Sequence, residues 1–408
     1  MNRRRLLQRI GGLGAVGSAV GLAGCGQLVG DDTSESNTGR AEACGPYEPT
    51  VTGSPGWQSA GGDPAGTGVV PTAAAPEPPL SLDWTFTLGG MAGAGRPVAT
   101  ADRVYAHEMD TTLFAVDAVT GEKVWERSVD GPYGSPAIGD GVVVALGNDT
   151  VLGLDPATGE TQWTGPEGHA DLFQGNPVVV DETVYVPTEL SLLALDAGDG
   201  SIKWEHATGH ESDSTPAILG ETVYYGGTDT YVYALDAATG EERWRYKTNA
   251  HIYCNVSVAA ETVFVGSRDG LIHAIDAATA ERAWTYDTKA EPHHIATDGS
   301  HVYVDTEGHV RALEASTGTS CWSTSYEDHI GTGIAVGDGH VYTPLERIGA
   351  KHGGLPSVLD AATGETLAQT QGEFESTRTS YDRGLAVVDG AVYTAGLEED
   401  GISLARFS

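Results

Sequence analysis

An eleven-residue motif, A-x-D-x-x-T-G-x-x-x-W, recurs along most of this 408-residue chain. Its copies, in chain order, are AVDAVTGEKVW (115–125), GLDPATGETQW (153–163), ALDAGDGSIKW (194–204), ALDAATGEERW (234–244), AIDAATAERAW (274–284), ALEASTGTSCW (312–322) and VLDAATGETLA (358–368). Successive tryptophans of the series lie 38 to 41 residues apart. A period of this length predicts repeated units, each of which buries its apolar faces against its neighbours.

Each unit contains four short segments rich in β-branched and aromatic residues, which predict strands. In residues 213–247 these segments are STPAIL, TVYYGG, YVYALD and ERWRYK. The valine that marks the second segment occurs eight times, at Val104, Val143, Val184, Val223, Val263, Val302, Val341 and Val392. Four-stranded units of about 40 residues arranged radially form a β-propeller. We therefore predict an all-β fold, an eight-bladed propeller of four-stranded antiparallel blades.

The last unit lacks a fourth strand, because the chain stops after ISLARF (402–407). A spare strand, LDWTFTL (82–88), precedes the first unit. We predict that this N-terminal strand around Trp84 completes the C-terminal blade, which closes the ring and protects its edges.

Within the motif, each recurring residue has a physical reason. Asp236 follows the third strand, where its carboxylate can accept backbone N–H groups of the turn, and Gly240 permits a positive φ. A tryptophan four residues later fills the wedge between blades, and its indole N–H needs an acceptor. The residues predicted to dock blades are Trp84, Trp125, Trp163, Trp204, Trp244, Trp284 and Trp322.

The N-terminus reads as a targeting segment. It combines NRRRLLQ (2–8), an apolar Gly/Ala-rich stretch (10–22) too short to span a bilayer, and LAGC (22–25). This resembles a twin-arginine export signal joined to a lipoprotein cleavage box, which implies cleavage before Cys25 and lipid attachment to its thiol. The alternative is an uncleaved signal anchor.

The predicted divisions are the signal (1–25), a flexible acidic and Pro/Gly-rich linker (26–56), a strap with Trp57 held against the domain (57–80) and the propeller (81–408).

The formal net charge is −35 at pH 7, with acids in every repeat. Such a surface repels nucleic acid and anionic membranes, and the even spread favours solvation in high salt over a local acidic patch. With the export signal, the chain resembles a surface lipoprotein of a salt-loving archaeon, placed on the outer face of the cytoplasmic membrane. Cys44 lies in the linker, whereas Cys254 and Cys321 fall inside strands and are expected to be buried thiols.

The motif resembles the repeat of the pyrroloquinoline-quinone (PQQ) propeller family over all of residues 81–408. In that family the tryptophan docks against Ala and Gly of the next blade. Three departures are Ala280 for Gly, Glu314 for Asp and Ala368 for Trp, of which the first and last are expected to loosen docking.

The quinoprotein dehydrogenases of this family also carry long inserted loops, a catalytic Asp, a calcium ion and usually an adjacent cysteine pair. This chain has short loops and no adjacent cysteines. We therefore expect no catalysis and no cofactor. The resemblance is to the non-catalytic branch, which includes the outer-membrane assembly lipoprotein of the β-barrel machine, and it implies a scaffold that binds protein or another ligand.

Histidines recur six to ten residues after a tryptophan, in loops that join the fourth strand of one unit to the first strand of the next. They are His169, His210, His251, His293, His294 and His329. With accompanying acids, His210, His251 and Asp213 form a candidate metal set. Common ancestry of the repeats is the competing explanation. We favour a surface for a partner or ligand here.

The starts of the first strands should face the channel. They carry Arg96, Ser135, Asn176, Thr215, Asn255, His294 and Arg383. Arg96 and Arg383 are expected in adjacent blades, where two arginines bind a carboxylate or phosphate or neutralise acids such as Asp382.

The sequence therefore predicts a monomeric scaffold for protein partners at the cell surface, held to the membrane only by its lipid and without nucleic acid. The alternatives are a PQQ- or metal-dependent oxidoreductase, with PQQ or calcium bound, and a carbohydrate-binding module.

Overall fold

The computed structural model describes residues 44, 47–51, 53, 56–71, 75–89, 94–108, 112–129, 134–147, 150–166, 175–211, 214–331, 333–347, 355–370, 384–398 and 401–408. Five residues singled out above lie outside these ranges: Cys25, His169, Asp213, Asp382 and Arg383. Residues Thr38–Ser408 form one compact unit. All regular structure in the described part is β, and none of it is a helix long and apolar enough to cross a membrane.

Eight four-stranded antiparallel blades form a ring, as predicted. The strands of blades 1 to 4 are β2 (Val98–Ala99), β3 (Arg103–Glu108), β4 (Thr112–Asp117), β5 (Lys123–Ser128); β6 (Ala137–Gly139), β7 (Val142–Leu146), β8 (Val151–Leu154), β9 (Thr161–Thr164); β10 (Val178–Val180), β11 (Thr183–Pro187), β12 (Ser191–Asp196), β13 (Ile202–Ala207); and β14 (Ala217–Leu219), β15 (Thr222–Gly226), β16 (Tyr231–Asp236), β17 (Glu242–Lys247).

The strands of blades 5 to 8 are β18 (Ser257–Ala259), β19 (Thr262–Ser267), β20 (Leu271–Asp276), β21 (Arg282–Asp287); β22 (Pro292–Thr297), β23 (His301–Glu314), β24 (Ser320–Gly331); β25 (Ala335–Gly337), β26 (His340–Arg347), β27 (Leu355–Asp360), β28 (Thr366–Gln369); and β29 (Leu385–Val388), β30 (Ala391–Glu398), β31 (Gly401–Phe407), β1 (Leu82–Gly89).

In blade 6, the single run β23 supplies both the second and the third strand. It pairs with β22 through its first half and with β24 through its second half. The backbone N–H of Ala315 donates to Ser300 O at 2.9 Å, so the chain folds back within this run. The end of β24 also pairs with β26, which joins the sheets of blades 6 and 7.

The ring closes through the N-terminal strand. β1 is hydrogen-bonded to β31 in the order β1-β31-β30-β29, and Trp84 lies opposite Arg406. Ser81 and Ser408 exchange two backbone hydrogen bonds of 2.8 and 3.0 Å just beyond the pair. The predicted closure by the spare strand is confirmed.

The motif residues dock each blade on the next. All seven indole N–H groups donate, over 2.7–3.3 Å, to the carbonyl that follows the motif aspartate or glutamate of the next blade. Trp204, for example, donates to Ala237 O at 2.9 Å. Its ring lies over Gly240, where an added Cβ would be 2.6 Å from ring carbons.

The turn aspartate acts locally. Asp236 Oδ1 accepts the backbone N–H of Ala238 at 3.1 Å and of Thr239 at 2.9 Å. Arg243 and the Thr239 hydroxyl add hydrogen bonds to the same carboxylate, and together these contacts lower the pKa of Asp236. The motif is therefore architectural: one carboxylate holds the turn that receives the tryptophan of the preceding blade.

At the Ala280 departure, the expected loosening is not seen. Ala280 adopts φ 60°, the left-handed conformation that glycine has in the other copies. The Trp244 indole still donates to Ala277 O at 2.8 Å. The turn therefore accepts an alanine at the cost of an unfavourable backbone conformation.

A disulfide joins Cys44 to Cys321, with the two Cα atoms 5.1 Å apart. The expectation that Cys321 is a buried thiol is therefore wrong. Cys254 is a free buried thiol, whose pKa burial raises to about 12. The two backbone N–H groups of Thr50 and Val51 both donate to Asp298 O, at 2.8 and 3.1 Å, so the described end of the segment expected to be a linker lies on blade 6.

Candidate functional site in the central channel

The two faces of the ring follow from the antiparallel order of strands. Connections from the fourth strand of one blade to the first strand of the next, and from second to third strands, lie on one face, which we call the loop face. First-to-second and third-to-fourth connections lie on the opposite face, the turn face. The first strands line the channel between them.

The strap occupies this channel. Its carbonyl groups accept backbone hydrogen bonds of 2.7–3.0 Å from equivalent first-strand positions of six blades. The donor and acceptor pairs are Ala99 to Trp57, Ile138 to Gln58, Ile218 to Pro64, Val258 to Ala65, Thr297 to Thr67 and Val336 to Gly68. The strap thus satisfies inner-edge N–H groups that would otherwise face the channel.

Small residues let the strap pass between the inner strands. Gly66 has φ +65°, and an added Cβ would lie 2.2 Å from Val256 O. Asp63 is buried and holds the strap's turn by accepting the Thr67 N–H at 3.0 Å. Burial raises the pKa of Asp63, although the hydrogen bonds it accepts oppose that shift.

In blades 1 to 6, the residue three positions before this first-strand position is polar, and these side chains form a belt along the channel. The belt consists of Arg96, Ser135, Asn176, Thr215, Asn255 and His294. It is linked from blade to blade by Arg96 N to Ser135 Oγ (2.9 Å), Ser135 N to Asn176 Oδ1 (2.7 Å), Asn176 Nδ2 to Thr215 Oγ1 (2.9 Å) and Asn255 Nδ2 to Ile295 O (2.9 Å). Within the described residues, the positions predicted to face the channel are therefore linked by hydrogen bonds from blade 1 to blade 4 and from blade 5 to blade 6.

Asp305, His294 and Arg96 form a hydrogen-bonded chain within this belt, which is called the relay below. Asp305 accepts the His294 backbone N–H at 2.7 Å and lies 3.0 Å from His294 Nδ1. His294 Nε2 is in hydrogen-bond contact with the Arg96 guanidinium. Because arginine only donates, Nε2 is the acceptor and Nδ1–H donates to Asp305.

The pKa shifts of His294 and Asp305 agree with this assignment of donor and acceptor. Burial first, and the charge of Arg96 second, lower the pKa of His294. Burial alone would raise the pKa of Asp305, but its contacts with His294 outweigh that effect and the net direction is down. Near neutral pH the relay is therefore a carboxylate, a neutral imidazole and a guanidinium.

Arg96 also contacts the strap and packs against Gly384, just before the first strand of blade 8. Its Nη1 donates to Ala60 O at 3.4 Å, and its side chain packs where a Cβ on Gly384 would be 2.3 Å from Arg96 Cγ. The guanidinium therefore connects blade 1, the strap and blade 6, and only glycine at 384 leaves room for it.

Between strap and belt is a cavity of about 10 Å³, lined by Trp57, Gly61, Arg96, Asn255, His294 and others. That volume accommodates about one water. A tricyclic quinone does not fit among these described residues. In the part of the chain that the structure describes, no group of three or more His, Cys, Asp or Glu side chains is placed to hold a metal.

The predicted histidines occupy different environments. His294 is buried in the relay and His293 is half-buried beside it. His210 and His251 are exposed on the loop face, and His251 Nδ1 lies 3.1 Å from Tyr253 Oη. His329 lies in β24. Of the candidates within the described ranges, the structure joins Arg96 and His294 directly.

Sequence reasoning missed Asp305. The equivalent positions of blades 4 and 5 are Gly226 and Gly266, so an acid here departs from the repeat. That departure, directly after the apolar run Val302–Val304, was the available signal.

Comparisons with known proteins agree with this architecture. A family model described as outer membrane protein assembly factor BamB matches residues 50–217, 207–307 and 306–408, which together cover both strap and ring. The chain belongs to this family. No curated protein matches it significantly.

Solved structures similar to this BamB family member share its fold at low identity. BamB from Moraxella catarrhalis has a TM-score of 0.64 and 19% identity, covering 80% of this chain and 99% of that one. The computationally designed Ika8 protein has a TM-score of 0.64 and 18% identity, covering 78% and 97%. Quinohemoprotein alcohol dehydrogenase from Comamonas testosteroni has a TM-score of 0.68 and 14% identity, covering 86% and 80%.

Proposed function

We propose that this BamB family member is an extracytoplasmic binding scaffold without catalytic activity, which receives a protein partner on its loop face. The observation that carries the proposal is the filled channel. The strap takes the inner-edge hydrogen bonds of six blades, and the cavity between strap and belt measures about 10 Å³. That cavity is too small for a substrate among the described residues, which favours the loops as the surface for recognition.

The attachment point of the N-terminal segment also supports binding of the partner on the loop face. Cys321 follows the third-to-fourth turn of blade 6, so the disulfide holds Cys44 near the turn face. We propose export by the twin-arginine route and lipid attachment at Cys25. The chain between Cys25 and Cys44 reaches at most about 65 Å. We propose that attachment through Cys44, on the face opposite the loops, leaves the loop face available to a partner.

Site-specific crosslinking tests the scaffold. A photoreactive amino acid replaces His251 on the loop face or, as the matched control, Val119, which is 68% exposed in a third-to-fourth turn. We expect discrete crosslinked partners from position 251 and none from position 119. Equal labelling from both positions, or from neither, would overturn the proposal.

An activity assay addresses the rival oxidoreductase. The purified protein receives PQQ and calcium, and reduction of an electron-accepting dye is followed with primary alcohols and aldoses. We expect no reduction above that of the protein without PQQ. Turnover that depends on PQQ would show an enzyme and would refute the proposal.

A further inference from the structure

Two tyrosines on the loop face of blades 4 and 5 are covered by cationic side chains. The Arg245 guanidinium carbon and the Lys247 ammonium nitrogen lie 5.3 and 5.6 Å from the ring centroid of Tyr231. The Arg268 guanidinium carbon lies 5.3 Å from the centroid of Tyr253, which is 37% exposed. These five residues are called the cation–tyrosine patch below.

The two halves of the patch belong to one connected surface. Thr248 N donates to Thr230 O at 2.8 Å, and Ile252 N donates to Gly227 O at 3.3 Å, which ties the loop carrying Tyr253 to the turn that precedes Tyr231. From blade 5, Arg268 N donates to His251 O at 3.0 Å. The loop is therefore held in place before any partner arrives, which lowers the entropy lost on binding.

Common ancestry of the repeats does not explain the patch. Tyr231 pairs with Lys247 across β16 and β17. The equivalent pairs are Leu271 with Asp287 in blade 5, Ser191 with Ala207 in blade 3 and Thr112 with Ser128 in blade 1. The tyrosine and the lysine are departures from the repeat, and they coincide on one blade.

The patch is also unusual in charge. The chain has 22 basic and 57 acidic residues, so most of its surface repels an acidic partner. Arg245 has Glu242 at 3.7 Å and Arg268 has Glu291 at 3.1 Å, but both arginine side chains are more than half exposed. Lys247 is exposed, and its ammonium group has no carboxylate within 4.0 Å among the described residues.

We propose that the cation–tyrosine patch binds an acidic peptide segment of the partner protein. This inference rests on the proposed scaffold function and names the chemistry of its partner. Arginine can hold a carboxylate through two parallel hydrogen bonds, and the exposed part of Tyr253 offers an apolar contact to the same segment. Arg and Tyr are also enriched among residues that dominate binding energy. A short segment touches the patch alone, whereas a long polyanion meets the acidic surface around it.

Binding of a defined probe tests the proposal. The probe is a fluorescent ten-residue peptide of Asp, Glu and Phe, and its control replaces every acid by the matching amide. We expect the full-length protein to bind the acidic peptide at least about tenfold more tightly than the amide peptide. Equal affinity for the two peptides, or no binding of the acidic one, would overturn the proposal.

Charge reversal locates the site. In Arg245→Glu/Lys247→Glu we expect about tenfold or greater loss of acidic-peptide affinity. Lys123→Glu/Arg127→Glu is the matched control, because both residues are exposed on the outer strand of blade 1 and the net charge changes by the same amount. A similar loss in the control, with far-UV circular dichroism unchanged in both proteins, would refute the assignment. So would tight binding of a single-stranded oligonucleotide of equal charge.

Crosslinking in the variant separates this inference from the scaffold proposal. If Arg245→Glu/Lys247→Glu keeps the partners captured from position 251, the scaffold stands and the patch is not its docking site. If the partners are lost together with peptide binding, the patch is the docking site.

Discussion

At the scale of single residues, a tryptophan and a glycine from consecutive repeats form the contact that joins two blades. The Trp204 ring covers Gly240, whose φ is +72° and where an added Cβ would be 2.6 Å from the ring. The same indole donates to Ala237 O at 2.9 Å. Two features favour glycine at this position, its left-handed backbone conformation and the space that the ring takes.

A reciprocal pair of substitutions tests this contact. We expect Gly240→Ala to lower the free energy of unfolding by about 2 to 4 kcal/mol, since it adds both backbone strain and overpacking. Ala280→Gly, at the natural departure with φ 60°, should raise it by up to about 1 kcal/mol. Urea titration measures both. Equal effects of the same sign would contradict the assignment.

His107 illustrates a buried residue that makes stability depend on pH. It is 1% exposed, and burial lowers its pKa to about 4. In the unfolded chain the imidazole has a pKa near 6.5. Between pH 6.5 and about pH 4 the unfolded state therefore binds a proton that the folded state does not bind. Folding stability should therefore fall across this window, by about 3 kcal/mol in total.

The measurement compares His107→Leu with the parent protein by urea unfolding at several pH values between 4 and 7.5. We expect the difference between the two proteins to grow in favour of the variant as pH falls through this range. His251→Leu is the control, because His251 is exposed. A His107→Leu protein with the parent's pH dependence would show that another group is responsible.

At the scale of elements, the strap is a strand-like segment that has no sheet of its own and pairs with the inner edges of others. Its acceptors face six different blades, so its path depends on the whole ring. Gly66 is the tightest point of that path, with Val256 O 2.2 Å from an added Cβ.

Gly66→Ala should therefore displace the strap while the blades remain folded. We expect faster cleavage within residues 57–80 by a nonspecific protease, and a loss of about 2 kcal/mol or more in unfolding free energy. Gly209→Ala is the matched control, since Gly209 has φ +73° but nothing within 4 Å of an added Cβ. Equal protease sensitivity of the two variants would argue against the steric account.

At the scale of the whole molecule, the ring is closed by a pairing between its two ends. β1 and β31 are over 300 residues apart in sequence, and the Trp84 indole donates across the closure to Ala118 O at 3.3 Å. The other tryptophans join blades that are adjacent in the chain. If the closure is lost, blades 8 and 1 separate, and no short connection in the chain holds them close together.

Hydrogen–deuterium exchange distinguishes the closure from an ordinary blade contact. In Trp84→Ala we expect protection to fall first in blades 8 and 1, and in Trp204→Ala in blades 3 and 4, with each variant about 3 kcal/mol less stable than the parent. Uniform loss of protection around the ring in both variants would show that the closure is no weaker point than any other contact.

Much of the architecture was predictable because every repeat shows the same spacing of strands and turns. The period near 40 residues, the four strand segments and the missing last strand together predicted eight blades closed by the segment around Trp84. These features are local or periodic, so strand propensity and turn chemistry express them without knowledge of the rest of the chain. The channel-facing belt could be predicted for the same reason, since its members occupy one register position.

Only the tertiary structure decided the contacts between parts of the ring that are distant in sequence. The sequence by itself determined the unit, its number and the role of Asp236, Gly240 and Trp244. It did not indicate that Asp305 would hold His294 against Arg96, nor that Cys44 would pair with Cys321 across 277 residues. Such pairs depend on where a closed ring places distant strands, and no local period carries that information. The path of the strap could not be predicted for the same reason, because its hydrogen-bonding partners exist only after the blades have assembled around it.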